Sequence, residues 1–214
     1  MLVKERMTPK PVTVTVDTPM HDALRLMRER QIRRLPVLDK AGKLVGMVSE
    51  KDLLYASPSP ATTLNVFEVN YLIAKIKVGQ LMSKKLITIN DDCPLEEAAR
   101  IMADNRVGGL PVLRDGQLVG IITETDLFKI FLELLGAREH GLRLTLLVPN
   151  KRGMLASLAG AIAGLGGDII ALGTFVGEQP DKGLLTLKVR DVDRQTPVDA
   201  LKPLGVEVVD LREA

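Results

Sequence analysis

Tryptophan is absent from this 214-residue chain, and only four Phe and two Tyr occur. Platforms that stack single-stranded bases need aromatic faces, so that class of nucleic-acid binder is not expected. An excess of one charge is missing as well: 29 Lys and Arg stand against 27 Asp and Glu, a net +2 with no basic stripe, and no nucleic-acid partner is expected. The single cysteine, Cys93, cannot close an internal disulfide and suits a reducing cytoplasm. Residues Met1 to Lys10 are charge-rich without an apolar centre, so no signal peptide is expected. Long hydrophobic runs are lacking too. The longest uncharged glycine-bounded stretch, Gly153 to Gly167 with its Gly160-x-x-x-Gly164 spacing, has 15 residues and is followed by Asp168. A bilayer needs roughly 20, so a buried globular helix is predicted there and no membrane span. There is no Gly-Lys-[Ser/Thr] loop, no Gly-x-Gly-x-x-Gly and no metal-spaced Cys/His cluster. With 46% apolar and 26% charged residues, what remains is an ordinary globular composition.

What the chain does contain is a repeat. Gly46-Met47-Val48-Ser49-Glu50-Lys51-Asp52 returns as Gly120-Ile121-Ile122-Thr123-Glu124-Thr125-Asp126, and Leu35-Pro36-Val37-Leu38 as Leu110-Pro111-Val112-Leu113. Met7-Thr8 likewise returns as Met82-Ser83. The Met and Pro pairs lie 75 residues apart and the Asp pair 74, because the turn Asp39 to Lys43 is one residue longer than Arg114 to Gln117. A repeat of this length means two copies of one small unit packed together.

In the first copy, alternation over Val12 to Val16 predicts a strand, Thr18-Pro19 a helix N-cap and first turn, and Ala23 to Gln31 an amphipathic helix. Leu35 to Leu38 and Leu44 to Val48 are strands, and Ser49 caps a helix that starts at Glu50. The second copy repeats this order through Ile87 to Ile89, Pro94 to Asn105, Leu110 to Leu113, Leu118 to Ile122 and Glu124 to Leu135. Between the copies, Ser57 to Pro60 reads as a stiff linker and Asn65 to Lys77 as an amphipathic helix. After Gly136 the pattern becomes βαββαβ: strands at Leu142 to Val148, Ile169 to Val176, Leu184 to Arg190 and Val206 to Leu211. Helices are expected at Met154 to Leu165 and Pro197 to Leu204, with a turn at Gly177 to Asp181. Such an order predicts an antiparallel sheet backed by two helices.

The repeated Gly-h-h-[Ser/Thr]-x-x-Asp (h, hydrophobic) ends a strand and opens a helix, where free backbone N–H groups favour an anion. The hydroxyl can bond a phosphate, and the carboxylate three residues on can accept from ribose hydroxyls, as in dinucleotide folds. The same residues also describe a plain helix cap. Two copies in matching contexts favour the ligand reading. Arg33-Arg34 precedes Leu-Pro-Val in the first copy where Gly108-Gly109 stands in the second, and arginine is well shaped to grip phosphate. Cys93 precedes Pro94 at an expected N-cap, a place that lowers a thiol pKa, but no base is near it in sequence. His21 and His140 stand alone, and Asp91-Asp92 and Glu96-Glu97 read as solvated acids at a helix start. No catalytic residue is assigned.

Residues 3 to 135 resemble a tandem pair of CBS domains, the regulatory Bateman module, because strand, helix, Leu-Pro-Val strand, turn, Gly-h-h-[Ser/Thr]-x-x-Asp and helix all occur twice in order. The fold class expected is therefore α/β and α+β: two CBS-type units packed as a pseudo-twofold pair, followed by a smaller domain. The resemblance implies two clefts for adenosine ligands such as AMP, ATP or S-adenosylmethionine, bound as regulators and not as catalytic cofactors. One cleft would take Ile121, Thr123 and Asp126 with Met7, Val12, Ile32 and Arg33. The other would take Met47, Ser49, Asp52 and Arg34 with Met82, Ile87 and Val107.

Residues 142–214 resemble an ACT domain, a ferredoxin-like βαββαβ module that typically senses amino acids. Asn150-Lys151-Arg152-Gly153-Met154-Leu155 stands where that family often has Asp-x-Pro-Gly-x-Leu, and Gly167-Asp168-Ile169 where it often has Gly-Ala-Asn-Ile. Asn150, Arg152, Gly153 and Asp168 would form its effector region. The implied order is a first CBS domain at 1–60, a helical linker at 61–77, a second CBS domain at 78–138 and the ACT-like domain. That order, with Thr62 to Lys77 between the copies, is similar to the acetoin-utilisation protein B family. The resemblance implies a cytoplasmic, non-catalytic homodimeric sensor connected with acetoin or acetate metabolism; a ligand-free adaptor and an unrecognised enzyme are the alternatives.

Overall fold

Each copy builds the elements its pattern predicts, with a shorter strand before the first helix. The computed structural model describes residues 1–56, 75–175 and 181–214. The linker at 57–60, the helix expected over 65–77 except for its last three residues, and the turn at 177–180 lie outside them. Contacts divide the chain into two units, Met1–Leu127 and Phe128–Ala214.

In the first unit the first copy supplies β2 (Val14–Thr15), α1 (Met20–Glu29), β3 (Arg34–Leu38), β4 (Leu44–Ser49) and α2 (Glu50–Tyr55). The second copy supplies β5 (Ile89–Asn90), α4 (Leu95–Asn105), β6 (Gly109–Arg114), β7 (Gln117–Thr123) and α5 (Glu124–Leu134), which runs past the unit boundary. Helix α1 buries Met20, Ala23 and Met27, and α4 buries the equivalent Leu95, Ala98 and Met102, one apolar stripe each. Both helices start one residue later than expected. Pro19 and Pro94 are the N-cap residues, and Thr18 instead accepts from the Thr15 N–H at 3.0 Å. Cys93 is likewise not a cap. Burial raises its thiol pKa, and Glu97, Asp92 and Glu96 add to the effect, the reverse of what a cap position would do.

The copies exchange their leading segments. Short helix α3 (Val78–Leu81) opens the second copy, yet Val78 is fully buried in the first copy's core with Met20, Met27, Leu35, Val37 and Leu53. Val78 N donates to Thr18 O and Gly79 N to Val16 O, both at 2.9 Å. Seventy-five residues earlier, a single 3-10 turn at Val3–Glu5 does the same to the second copy: Val3 N donates to Cys93 O and Lys4 N to Asp91 O, again at 2.9 Å. Strand β1 (Thr8–Pro9) pairs with β7, giving a sheet ordered β1-β7-β6-β5, while Ser83 bridges Met47 beside the sheet β2-β3-β4. This reciprocity is what a twofold relation produces. It also explains the motif glycine: a Cβ at Gly46 would fall 2.3 Å from Met82 Sδ, and one at Gly120 2.3 Å from Met7 Sδ. Each exchanged methionine fills the space its glycine leaves.

The second unit contains β8 (Leu142–Pro149), α6 (Met154–Gly164), β9 (Asp168–Phe175), β10 (Lys182–Arg190), α7 (Thr196–Leu201) and β11 (Glu207–Glu213). The sheet is antiparallel and ordered β11-β8-β10-β9. Strand β8 alternates as written: Leu142, Leu144, Leu146 and Val148 enter a core shared with Leu158, Ile162, Leu187 and Leu201. Helix α6 differs from the buried helix expected, because it buries Met154, Leu158 and Ile162 and leaves Leu155, Gly160 and Gly164 exposed. Its small residues form an outer face. Among the described residues, no helix is long and apolar enough to cross a membrane. Lys188 is 4% exposed, and its Nζ donates to Gly136 O at 3.0 Å.

Candidate functional site

The two Ser/Thr-x-x-Asp motifs fold into the same closed box. Ser49 N and Ser49 Oγ donate to Asp52 Oδ2 at 2.8 and 2.6 Å, and Asp52 N returns a bond to Ser49 Oγ at 3.3 Å. In the second copy, Thr123 N and Oγ1 donate to Asp126 Oδ2 at 2.9 and 2.7 Å, and Asp126 N donates to Thr123 Oγ1 at 3.4 Å. Glu50 N is taken by Arg33 O and Glu124 N by Gly108 O. These bonds narrow the expectation of free N–H groups at the helix start: the amides of Ser49, Glu50 and Asp52, those of Thr123, Glu124 and Asp126, and both hydroxyls have partners. Each carboxylate keeps Oδ1 as an acceptor that these bonds do not use.

A cavity of about 330 Å³ opens beside the first box. Six of the seven residues expected for this cleft line it: Arg34, Met47, Ser49 and Asp52 from the first copy, Ile87 and Val107 from the second. Met82 does not, because it packs under Gly46; its neighbour Ser83 takes the place. Lys51, Lys85 and Arg106 also line the cavity. The sequence signal for them was available, since each stands within two residues of a residue already assigned there.

Arg34 is the most constrained of these side chains. Its Nη2 lies 3.7 Å from Glu124 Oε2, and it passes over the glycine pair of the second copy. A Cβ at Gly108 would fall 1.9 Å from Nη2, and one at Gly109 3.1 Å from Cδ. The Arg-Arg/Gly-Gly difference between the copies is therefore steric as well as electrostatic: one copy supplies the guanidinium and the other the room for it. Burial lowers the Arg34 pKa from the usual guanidinium value, and Glu124 opposes that shift.

For the other cleft, Thr8 pairs with Ile121 and Met7 lies against Gly120, while Thr123 and Asp126 close their box. Val12 and Ile32 pack against the first copy's core, and Arg33 is exposed. In the second unit, Asn150 and Gly153 line a cavity of about 590 Å³ with Lys151, Phe175 and Lys182. Arg152 is exposed and is not part of that lining. Asp168 does not join them. It begins β9 at the opposite end of the sheet, roughly 25 Å away along eight strand residues, and pairs with Arg190 at 2.6 Å. The expected effector set is thus divided by the sheet.

Residues 3–59 and 78–133 match the CBS domain family. The chain belongs to that family. Its CBS pair is similar to a provisionally assigned acetoin utilization protein (AcuB) of Vibrio cholerae, at 32% identity and TM-score 0.53 over 65% of this chain and 96% of the other. It is similar to CBSX2, solved in complex with AMP, at 35% identity and TM-score 0.50 over 61% and 96%. It also resembles the CBS pair of protein MJ0100, in complex with 5′-methylthioadenosine and S-adenosyl-L-methionine, at 26% identity and TM-score 0.52 over 65% and 98%.

Proposed function

We propose that the CBS pair is a regulatory sensor that takes an adenine nucleotide (AMP, ATP or S-adenosylmethionine) between its two copies and performs no catalysis. The observation that carries this reading is the composition of the 330 Å³ cavity, where aliphatic Met47, Ile87 and Val107 stand with Asp52 and the Arg34 guanidinium. Aliphatic walls suit the faces of adenine, the free oxygen of Asp52 suits a ribose hydroxyl, and Arg34 suits a phosphate. The adenosine ligands of CBSX2 and of the MJ0100 pair support the ligand class. By the repeat, Thr123 and Asp126 with Met7, Val12, Ile32, Arg33 and Ile121 serve a second cleft.

Residues 142–214 are proposed as a ferredoxin-like ACT domain that adds an amino-acid input or a dimer contact. The β11-β8-β10-β9 order and the cavity at Asn150 and Gly153 support that assignment. The full reading is a cytoplasmic homodimeric sensor, and the likeness to AcuB supports a connection with acetoin or acetate metabolism.

Titration calorimetry of the full chain tests the core of this reading. AMP and adenosine should both bind, and Arg34→Glu should weaken AMP by at least about tenfold (1.4 kcal/mol) more than adenosine. Equal losses would make Arg34 a support of the fold alone. Absence of binding by any adenine ligand would leave an adaptor.

A further inference from the structure

The cavity beside Ser49 and Asp52 is more cationic than a nucleoside or a monophosphate requires. Arg34, Lys51, Lys85 and Arg106 line it against one carboxylate, Asp52. Half-buried Arg34 is the inner member, and the other three are exposed at the rim. Neither Lys85 nor Arg106 has an ion pair among the described residues, whereas Arg34 shares Glu124 and Lys51 lies 5.4 Å from the Tyr55 ring. Most of the surplus is not a property of the repeat, in which only Lys85 has a cationic counterpart, Lys10. At the 75- and 74-residue offsets, Thr125 replaces Lys51 and Gln31 replaces Arg106 in the other copy.

We infer that this cleft selects nucleoside polyphosphates over the monophosphate, the nucleoside and the cationic sulfonium nucleoside. The inference rests on the adenine-nucleotide reading above and names the ligand class within it. A polyphosphate chain is too strongly hydrated to bury, so it follows a path from an inner guanidinium to solvent-exposed cations. Arg34 meets the first phosphate, and Lys85 and Arg106 meet those beyond it. The same rim charges repel a sulfonium. Because they are exposed, their contribution falls as salt rises.

The test is calorimetry of the full-length chain with adenosine, AMP, ADP, ATP and S-adenosylmethionine at low and high salt. A double variant, Lys85→Gln with Arg106→Gln, is compared with the wild type. Gln31 sits at φ 52 where Arg106 sits at φ 53, so glutamine is compatible with the left-handed turn that ends α4. In the wild type, affinity should rise from adenosine to AMP to ADP to ATP, with ATP at least about tenfold tighter than AMP and S-adenosylmethionine weaker than AMP. The double variant should bring ATP to within about threefold of AMP, and high salt should narrow the wild-type gap in the same direction. AMP binding with no gain from further phosphates, or a gain that survives the double variant, overturns the polyphosphate inference and leaves the nucleotide reading standing. Failure of every adenine ligand overturns both.

Discussion

At the residue scale, one carboxylate in each copy closes a capping box, and the proposed function gives it a second duty. Asp52 Oδ2 closes the turn that starts α2, and the same residue lines the cavity. Asp52→Ala therefore opens the capping box and removes the proposed ligand acceptor together. The cap is worth about 0.5–2 kcal/mol of folding stability, and a hydrogen bond to a charged group about 1.5–3 kcal/mol of binding. Urea denaturation should show the first loss and AMP calorimetry the second. Asp126→Ala should show the same pair of losses at its own cleft. A stability loss with unchanged AMP affinity in both variants would return the motif to capping alone. Sequence reasoning located these residues because the motif is local and repeated. It missed that the hydroxyl and the carboxylate bond to each other, since both the cap and the ligand reading use the same residue types.

At the element scale, the exchange of leading segments is what makes the two copies one unit. Val3 and Val78 are both fully buried. Val78 belongs to the second copy in sequence and to the first copy's core in space. Truncating it should open a cavity beside Met20 and Met27. Val78→Ala is expected to cost about 1–3 kcal/mol, by analogy with other buried large-to-small changes. Hydrogen exchange should reveal where the loss is felt: α1 amides should lose more protection than α4 amides. Greater loss in α4 would mean that the two copies are stabilised along the chain and not across it. The strands expected at 12–16 and 87–89 are only partly realised. Their alternation is real, but only Val14–Thr15 and Ile89–Asn90 find a partner strand, along β3 and β6.

At the scale of the whole molecule, the proposed homodimer needs a surface in the second unit. Strand β9 ends the sheet order and exposes Leu172 and Phe175, at 41% and 46%. An apolar, unpaired edge is a template for strand pairing, and an edge lysine is the usual deterrent. Leu172→Lys should weaken self-association by at least about tenfold in sedimentation, with AMP binding to the CBS pair kept. Self-association equal to wild type would exclude this edge from the dimer contact.

The sequence by itself determined the number of copies, the order of elements, the βαββαβ pattern of residues 142–214 and most of one cleft. Those features rest on periodicities of 2 and 3.6 residues and on motifs a few residues long, which the chain expresses before any long-range contact forms. Tertiary structure decided which glycine receives which methionine, that Arg34 crosses Gly108 to Glu124, and that Lys85 and Arg106 stand at one cavity. It also decided that Asp168 stands at the opposite end of a strand from Asn150. Each of these outcomes depends on which surfaces meet when distant segments pack. Spacing along the chain constrains the residues that share a face, but close approach between faces is settled by side-chain volume in three dimensions.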